Sequence, residues 1–197
     1  MKNFNRKYTL FSLCGLNCGL CVMHLDNYCP GCGGGEGNQG CAIARCSRQH
    51  GQPEFCHLCG EYPCKKYEGI DAFDSFVTHR NQLKDMDKVR KMGIDAYLAE
   101  LSEKKEILKS LLANYNDGRR KSFFCIAVNL LELQDIKTVM EQIATETAEG
   151  TISGTTSGTT SERTTLALKE KAAHAVSLFQ AMADKRSLVL KLNKKPG

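Results

Sequence analysis

The sequence predicts a mainly α-helical protein in which a small, irregular, cysteine-rich metal-binding domain is followed by a helical bundle. Two observations support this fold class. Ten of the eleven cysteines lie between residues 14 and 64, among glycines and prolines that indicate short turns. After residue 71 the apolar residues instead recur at steps of three and four, which is the spacing along one face of a helix.

Length and composition are those of an ordinary folded chain. With 197 residues, 42% of them hydrophobic and 25% charged, the chain suits a small domain and a modest second one. We predict a cysteine-rich metal-binding domain over residues 1–70, a helical domain over 71–149, a flexible Gly/Thr/Ser linker over 150–161, and a last segment over 162–197. The last segment is predicted to contain a helix, a short strand and a basic tail.

Periodicity assigns the elements in order along the chain. Residues 9–13 fit a strand or an extended lead-in to the cysteines. Helical spacing predicts these helices: 71–77 with Asp71 as its N-cap, 85–92, 94–115, 122–131, 135–147 and 162–185. The repeated GTTS motif after Gly150 has no core-forming side chains and predicts the linker. Alternating leucines over 187–193 predict a short edge strand.

The chain is predicted to be cytoplasmic and without a membrane partner. Its first apolar run, Leu10–Leu13, is too short for the core of a signal peptide, and no run approaches the roughly 20 residues of a spanning helix. Compartment matters here because thiols stay reduced in the cytosol, where clustered cysteines indicate metal binding. In a secreted chain the same cysteines would indicate disulfides.

The spacing of the cysteines predicts metal binding. Three C-x2-C pairs, at 18–21, 29–32 and 56–59, each allow two thiolates from one tight turn to reach the same ion. The predicted metal ligands are the ten clustered cysteines: Cys14, Cys18, Cys21, Cys29, Cys32, Cys41, Cys46, Cys56, Cys59 and Cys64.

Ten thiols are enough for two four-thiolate sites with two cysteines in surplus. By chain order, the first two C-x2-C pairs form one site, and Cys41 and Cys46 join the third pair in the other. Cys14 and Cys64 then flank the block as the surplus. Interleaved arrangements fit the spacing equally well, so the order along the chain does not fix which cysteines share an ion.

Zinc, as two ions, is the predicted metal, because repeated knuckles with short glycine-rich loops favour structural zinc. A segment of about 50 residues with few aliphatic side chains cannot bury enough apolar area to fold alone. An iron–sulfur cluster is the alternative, in a redox protein or an enzyme component. Cys14, Cys18 and Cys21 share the C-x3-C-x2-C spacing of enzymes that cleave S-adenosylmethionine by radical chemistry, but the chain lacks the length and strands of those enzymes.

Nucleic-acid binding through zinc knuckles is the less favoured interpretation. The formal net charge of +5 assumes neutral thiols, and two filled four-thiolate sites would lower it to about +1. The chain also has no tryptophan. The remaining basic segment is the tail, which carries Lys185, Arg186, Lys191, Lys194 and Lys195.

Other reactive side chains have simpler interpretations. His24, His50 and His57 lie near cysteine pairs, but ten thiols can fill two sites without them. Cys125 has apolar neighbours and is predicted to be a small buried side chain. No triad or carboxylate pair is identified, so the sequence leaves open whether the protein is an enzyme.

The order Cys-Gly-Leu-x-Cys-x2-Cys, then Cys-Pro-Gly-Cys, then Cys-x2-Cys-x2-Tyr-Pro-Cys resembles an uncharacterised cysteine-rich family of bacteria and archaea, a domain of unknown function. The resemblance covers roughly residues 14–68. It implies a small metal-binding module, with zinc at the same ten cysteines, and it implies no reaction. An interaction with a protein partner is compatible with such a module, and the sequence does not identify that partner.

Overall fold

A computed structural model describes residues 4–36, 40–148 and 160–195. Within them the chain is mainly helical, which confirms the predicted fold class. The helices are α1 (Val22–Leu25), α2 (Ala42–Gln49), α3 (Gln82–Met92), α4 (Ile94–Asn114), α5 (Lys121–Leu130), α6 (Leu133–Ala148) and α7 (Thr160–Lys185). Short 3-10 turns lie at Cys18–Leu20, Cys56–Leu58 and Lys65–Tyr67. The described residues form no β-strand, although an isolated antiparallel bridge joins Asn5 and Gly34.

The chain divides into two compact units, Met1–Ser102 with Leu192–Gly197, and Glu103–Lys191. We call them the cysteine-rich unit and the helical unit. The division falls within α4, so the cysteine-rich unit includes α3 and the first part of α4 and is larger than the predicted 1–70 segment. No helix of the described residues is long and apolar enough to cross a membrane.

The core of the cysteine-rich unit is aromatic. The ring of Phe11 is buried against Phe55 and Tyr97, with centroid separations of 5.7 and 4.8 Å. A smaller buried cluster contains Leu13, and Cys32 is among the residues that pack against it. The cysteine loops are therefore attached to an apolar core that α4 completes.

A buried polar network joins the first cysteine loop to α3 and α4. The Asn17 amide donates to the Asp85 carboxylate at 2.8 Å, and the Tyr97 hydroxyl donates to the Asn17 amide oxygen at 2.9 Å. All three residues are buried. Leaving a buried polar group without its partner costs about 1–3 kcal/mol, so this network fixes the loop between Cys14 and Cys18 in one position.

The helical unit has its own core, in which α5 is buried from Phe124 to Leu130. Cys125 is 5% exposed there, so the prediction of a buried side chain is confirmed. Near the end of the unit, Arg186 donates two hydrogen bonds to the Asp135 carboxylate, at 3.0 and 2.6 Å. The predicted basic tail therefore has one cation fewer to offer to a nucleic acid.

The predicted helix over residues 71–77 is wrong, because the described chain forms turns and bends there. Phe73 and Phe76, which would form its apolar face, are 42% and 63% exposed. The Asp74 carboxylate instead accepts a hydrogen bond from the backbone amide of His79 at 2.7 Å. About two helical turns without a buried apolar face do not repay the cost of nucleation.

The predicted strand over 187–193 is also wrong. Helix α7 ends at Lys185, and Ser187 then turns the chain with φ +55°. The described residues contain no strand with which 187–193 could pair. Its end is fixed differently, since the amide of Asn193 donates to the Asp74 carboxylate at 2.8 Å. Of the predicted linker, residues 150–159 lie outside the described residues, and α7 begins at Thr160.

Candidate metal centre

The structure shows no disulfide among the cysteines it describes, and the ten predicted ligands all belong to the cysteine-rich unit. The described residues include no group of three or more His, Cys, Asp or Glu side chains placed to hold a metal ion. Metal binding therefore stays a prediction. The structure shows which thiols are neighbours and what fixes each loop.

Two of the C-x2-C pairs fold as matching single turns. In each, the second cysteine donates its amide to the carbonyl of the first, Cys21 to Cys18 at 3.1 Å and Cys59 to Cys56 at 3.0 Å. The two turns are joined indirectly, because the amide of Cys56 donates to the carbonyl of Leu13 at 2.9 Å. The cysteine loops thus support one another through backbone hydrogen bonds.

The third pair, Cys29 and Cys32, is shaped by the glycine between them. Gly31 has φ +93°, and a Cβ atom at this position would collide with the carbonyl oxygen of Thr9. That same carbonyl accepts the amide of Cys32 at 2.9 Å. Glycine therefore permits the close approach that fixes Cys32 against the lead-in segment.

Replacing Gly31 with alanine is expected to destabilise the cysteine-rich unit by clearly more than the same change at Gly35. Both residues have positive φ, a conformation that costs a residue with a Cβ atom about 1–2 kcal/mol. Only Gly31→Ala adds a collision with backbone, since no atom of the described residues lies within 4 Å of a Cβ at Gly35. Urea denaturation of the two variants measures the difference. Equal losses would contradict the close approach at Thr9.

Three thiols have strongly raised pKa values, mainly because of burial. The pKa of Cys14 is raised to about 12 and that of Cys56 to about 11, and the pKa of Cys18 is raised as well. Neighbouring thiols act in the same direction, since thiolates repel one another. A bound cation would reverse this, because a coordinating thiol is deprotonated.

Four cysteines line one small cavity: Cys46, Cys56, Cys59 and Cys64, which we call the pocket set. The cavity has a volume of about 30 Å³, on the scale of a water molecule or a single ion. The same four thiols interact electrostatically, because Cys64, Cys46 and Cys59 each raise the pKa of Cys56. Tyr67 lines the cavity too, and its hydroxyl donates to the carbonyl of Cys14 at 3.3 Å.

We call Cys14, Cys18, Cys32 and Cys41 the loop set, because Cys32 and Cys41 raise the pKa of the Cys14 thiol and Cys32 also raises that of Cys18. Burial is the main cause of the raised pKa of Cys14, and among the thiols Cys32, then Cys41 and then Cys56 raise it further. Burial is the main cause of the raised pKa of Cys18, and among the thiols Cys32, then Cys14 and then Cys21 raise it further. The two clustered cysteines outside both sets are Cys21 and Cys29, and the thiol of Cys29 raises the pKa of Cys21.

Helix α2 separates two cysteines that are close in sequence. Cys41 precedes the helix as its N-cap, and its sulfur accepts a hydrogen bond from the amide of Ala44 at 3.2 Å. Cys46 lies within the helix and faces the cavity. Sequence reasoning missed α2, because its eight residues lie in a cysteine-rich block without sustained period and its cap is a sulfur.

The histidines near the cysteines use one ring nitrogen to hold their own loops. His24 and His50 each donate Nδ1 to a cysteine carbonyl, those of Cys29 and Cys46, at 2.9 Å. His50 also lines the cavity, with Nδ1 3.5 Å from the Cys46 sulfur. This places His50 beside the pocket set as a group that can position the Cys46 side chain.

Sequence reasoning missed Arg6, which connects three cysteine loops. Its side chain is 3% exposed and donates to the carbonyls of Phe11 and Cys32, both at 3.2 Å. It also donates twice to the carbonyl of Glu54, at 3.1 and 2.6 Å, and pairs with that residue's carboxylate at 3.2 Å. A single arginine in a polar lead-in carries no sequence signal for such a role.

A comparison with protein-family models finds no match for this chain, and comparisons with curated proteins and with solved structures find none either. The resemblance over residues 14–68 therefore stays a prediction that rests on the motifs.

Proposed function

We propose that this protein binds two zinc ions through its clustered cysteines, and that the metal holds the cysteine-rich unit in shape as a structural or interaction module. The observation that supports this most is the small cavity lined by the four thiols of the pocket set. Four thiolates are a donor set that tetrahedral zinc takes in structural sites.

The residues present suit a structural ion in chemistry and in setting. The thiols of Cys14, Cys18 and Cys56 have raised pKa values because burial disfavours their charged form, and a divalent cation would offset that cost. Four thiolate ligands complete the tetrahedron and leave no open position for a substrate. The ion would supply folding free energy, on the order of 10–16 kcal/mol for a structural site.

The setting of the protein follows from the same proposal. Thiolate ligands must stay reduced, so we place the protein in the cytoplasm. With both sites filled the net charge falls to about +1, and Arg186 is already bound to Asp135. A protein partner therefore suits the module better than a nucleic acid, whose binding depends on neutralising many phosphates.

Elemental analysis of the full chain, purified without oxygen, is expected to find two zinc ions per chain in a colourless protein. Iron with a brown colour would support the iron–sulfur alternative. A protein that contains neither zinc nor iron would contradict both interpretations.

Two serine variants provide the matched comparison. Cys18→Ser is expected to lower the zinc content, whereas Cys125→Ser, in the buried α5 of the helical unit, is expected to leave it unchanged. Equal losses in both would show that the ligands have been assigned to the wrong region.

A further inference from the structure

We propose that the thiols form two interleaved sites instead of two consecutive ones, and this rests on the proposed function. The pocket set, Cys46, Cys56, Cys59 and Cys64, holds one ion, and the loop set, Cys14, Cys18, Cys32 and Cys41, holds the other. The surplus pair is then Cys21 with Cys29. Chain order instead makes Cys14 and Cys64 the surplus and places Cys41 beside Cys46.

The cavity is the first reason for this division. It brings Cys64 together with the Cys56–Cys59 turn, and Cys46 reaches it from α2. Among the described residues that line the cavity there is no further cysteine. Cys64 therefore lies where a ligand is needed, and a fourth thiol from elsewhere is not required.

The geometry of α2 is the second reason. Cys41 and Cys46 are five residues apart, which corresponds to about 7.5 Å along a helix axis and about 140° around it. The sulfur of Cys41, which is exposed, caps the start of the helix, whereas Cys46 faces the cavity. A residue that caps the start of the helix and one that faces the cavity from within it are poorly placed to share an ion, so we assign Cys41 and Cys46 to different sites.

The backbone around the loop set is the third reason. Residues 9–10 accept hydrogen bonds from both sides, from the amide of Cys32 at Thr9 and from the amide of Gly19 at Leu10, each at 2.9 Å. This arrangement holds the Cys18 turn and the CPGC turn against the same short segment.

The surplus pair is held by different contacts. The carbonyl of Cys21 accepts the backbone amides of His24 and Leu25, both at 3.0 Å. Cys29 donates its own amide to the carbonyl of Met23 at 3.1 Å. These contacts occupy Cys21 and Cys29 within the loop around α1.

Zinc content of full-length variants tests the division. With two ions in the unsubstituted chain, Cys64→Ser is expected to retain one. The double variant Cys59→Ser/Cys64→Ser is also expected to retain one, because both residues belong to the same site. Cys18→Ser/Cys64→Ser is expected to lose both ions, and Cys21→Ser/Cys29→Ser to keep both.

Chain order predicts a different pattern, in which Cys64→Ser keeps both ions and Cys21→Ser/Cys29→Ser loses one. That pattern would overturn the division while leaving zinc binding intact, whereas an unsubstituted chain without zinc would instead contradict the proposed function. A measurement without substitutions guards against variants that fail to fold. In cadmium-loaded chain, NMR coupling between each ion and cysteine β-protons should join Cys64 to Cys46, and an ion coupled to both Cys41 and Cys46 would overturn the division.

Discussion

Removing the metal from the full chain with a chelator is expected to unfold the cysteine-rich unit while α5–α7 remain folded. A structural zinc ion contributes about 10–16 kcal/mol of coupled folding free energy, which is as large as the whole stability of a typical domain. The helical unit does not depend on these thiols, since its core contains the buried side chains of Phe124 and Phe179. Hydrogen exchange measured by mass spectrometry should therefore show that backbone amides lose protection in the cysteine-rich unit and keep it in α5–α7.

The eleventh cysteine provides the internal control for this experiment. Cys125 is 5% exposed in α5, so it should resist alkylation after chelation while the ten clustered thiols react. Rapid alkylation of Cys125 would show that the metal stabilises more of the chain than the cysteine-rich unit. Unchanged protection of the ten thiols after complete metal loss would show that the metal does not hold that unit.

Periodicity predicted the long helices well because each carries several repeats of one buried face. The helix predicted over 94–115 is α4, Ile94–Asn114, and the preceding helix ends before Gly93, whose φ of +84° suits only glycine readily. The prediction over 71–77 had a single repeat, and tertiary contacts did not bury it. The confirmed helix and the wrong one therefore differ mainly in how many times the apolar spacing repeats.

The core of the cysteine-rich unit could not be predicted from local composition. The cysteine block is poor in aliphatic residues, yet Phe11 and Phe55 find a third aromatic partner in Tyr97. The hydroxyl of Tyr97 binds Asn17, which lies 80 residues earlier. The periodicity of apolar residues reports only local structure, with a period of two for strands and 3.6 for helices. It cannot predict a contact between residues so far apart, so the aromatic core is seen only in the folded chain.

The candidate site divides in the same way. Spacing identified six of the ten candidate thiols, because C-x2-C reflects a local turn that the sequence encodes, and the other four became candidates because they cluster in the same block. The grouping of those thiols depends on how α2 and the CPGC turn place Cys41 and Cys32, which is tertiary information. Tyr67 and Arg6 were missed for the same reason, since each acts through contacts with residues more than 20 positions away.

Replacing Arg6 is expected to be among the most damaging single changes outside the cysteines. Arg6→Met removes a side chain that donates to the carbonyls of Phe11, Cys32 and Glu54 and that pairs with the Glu54 carboxylate. Each hydrogen bond from a charged group contributes about 1.5–3 kcal/mol, and loss of the guanidinium leaves the carbonyls of three loops without this donor. In the zinc-loaded variant, this loss should appear as a lower urea midpoint for unfolding of the cysteine-rich unit.

Arg6→Lys separates the role of shape from the role of charge. Lysine keeps the positive charge, but its single ammonium cannot copy the planar fork that reaches three carbonyls in different directions. We therefore expect Arg6→Lys to lose about 2 kcal/mol, as for one hydrogen bond to a charged group, and to hold zinc less tightly. Lys7→Met, at the exposed neighbouring position, should leave the midpoint unchanged. If Arg6→Lys instead matched the unsubstituted chain, charge alone would explain Arg6, and the three loops would need another common support.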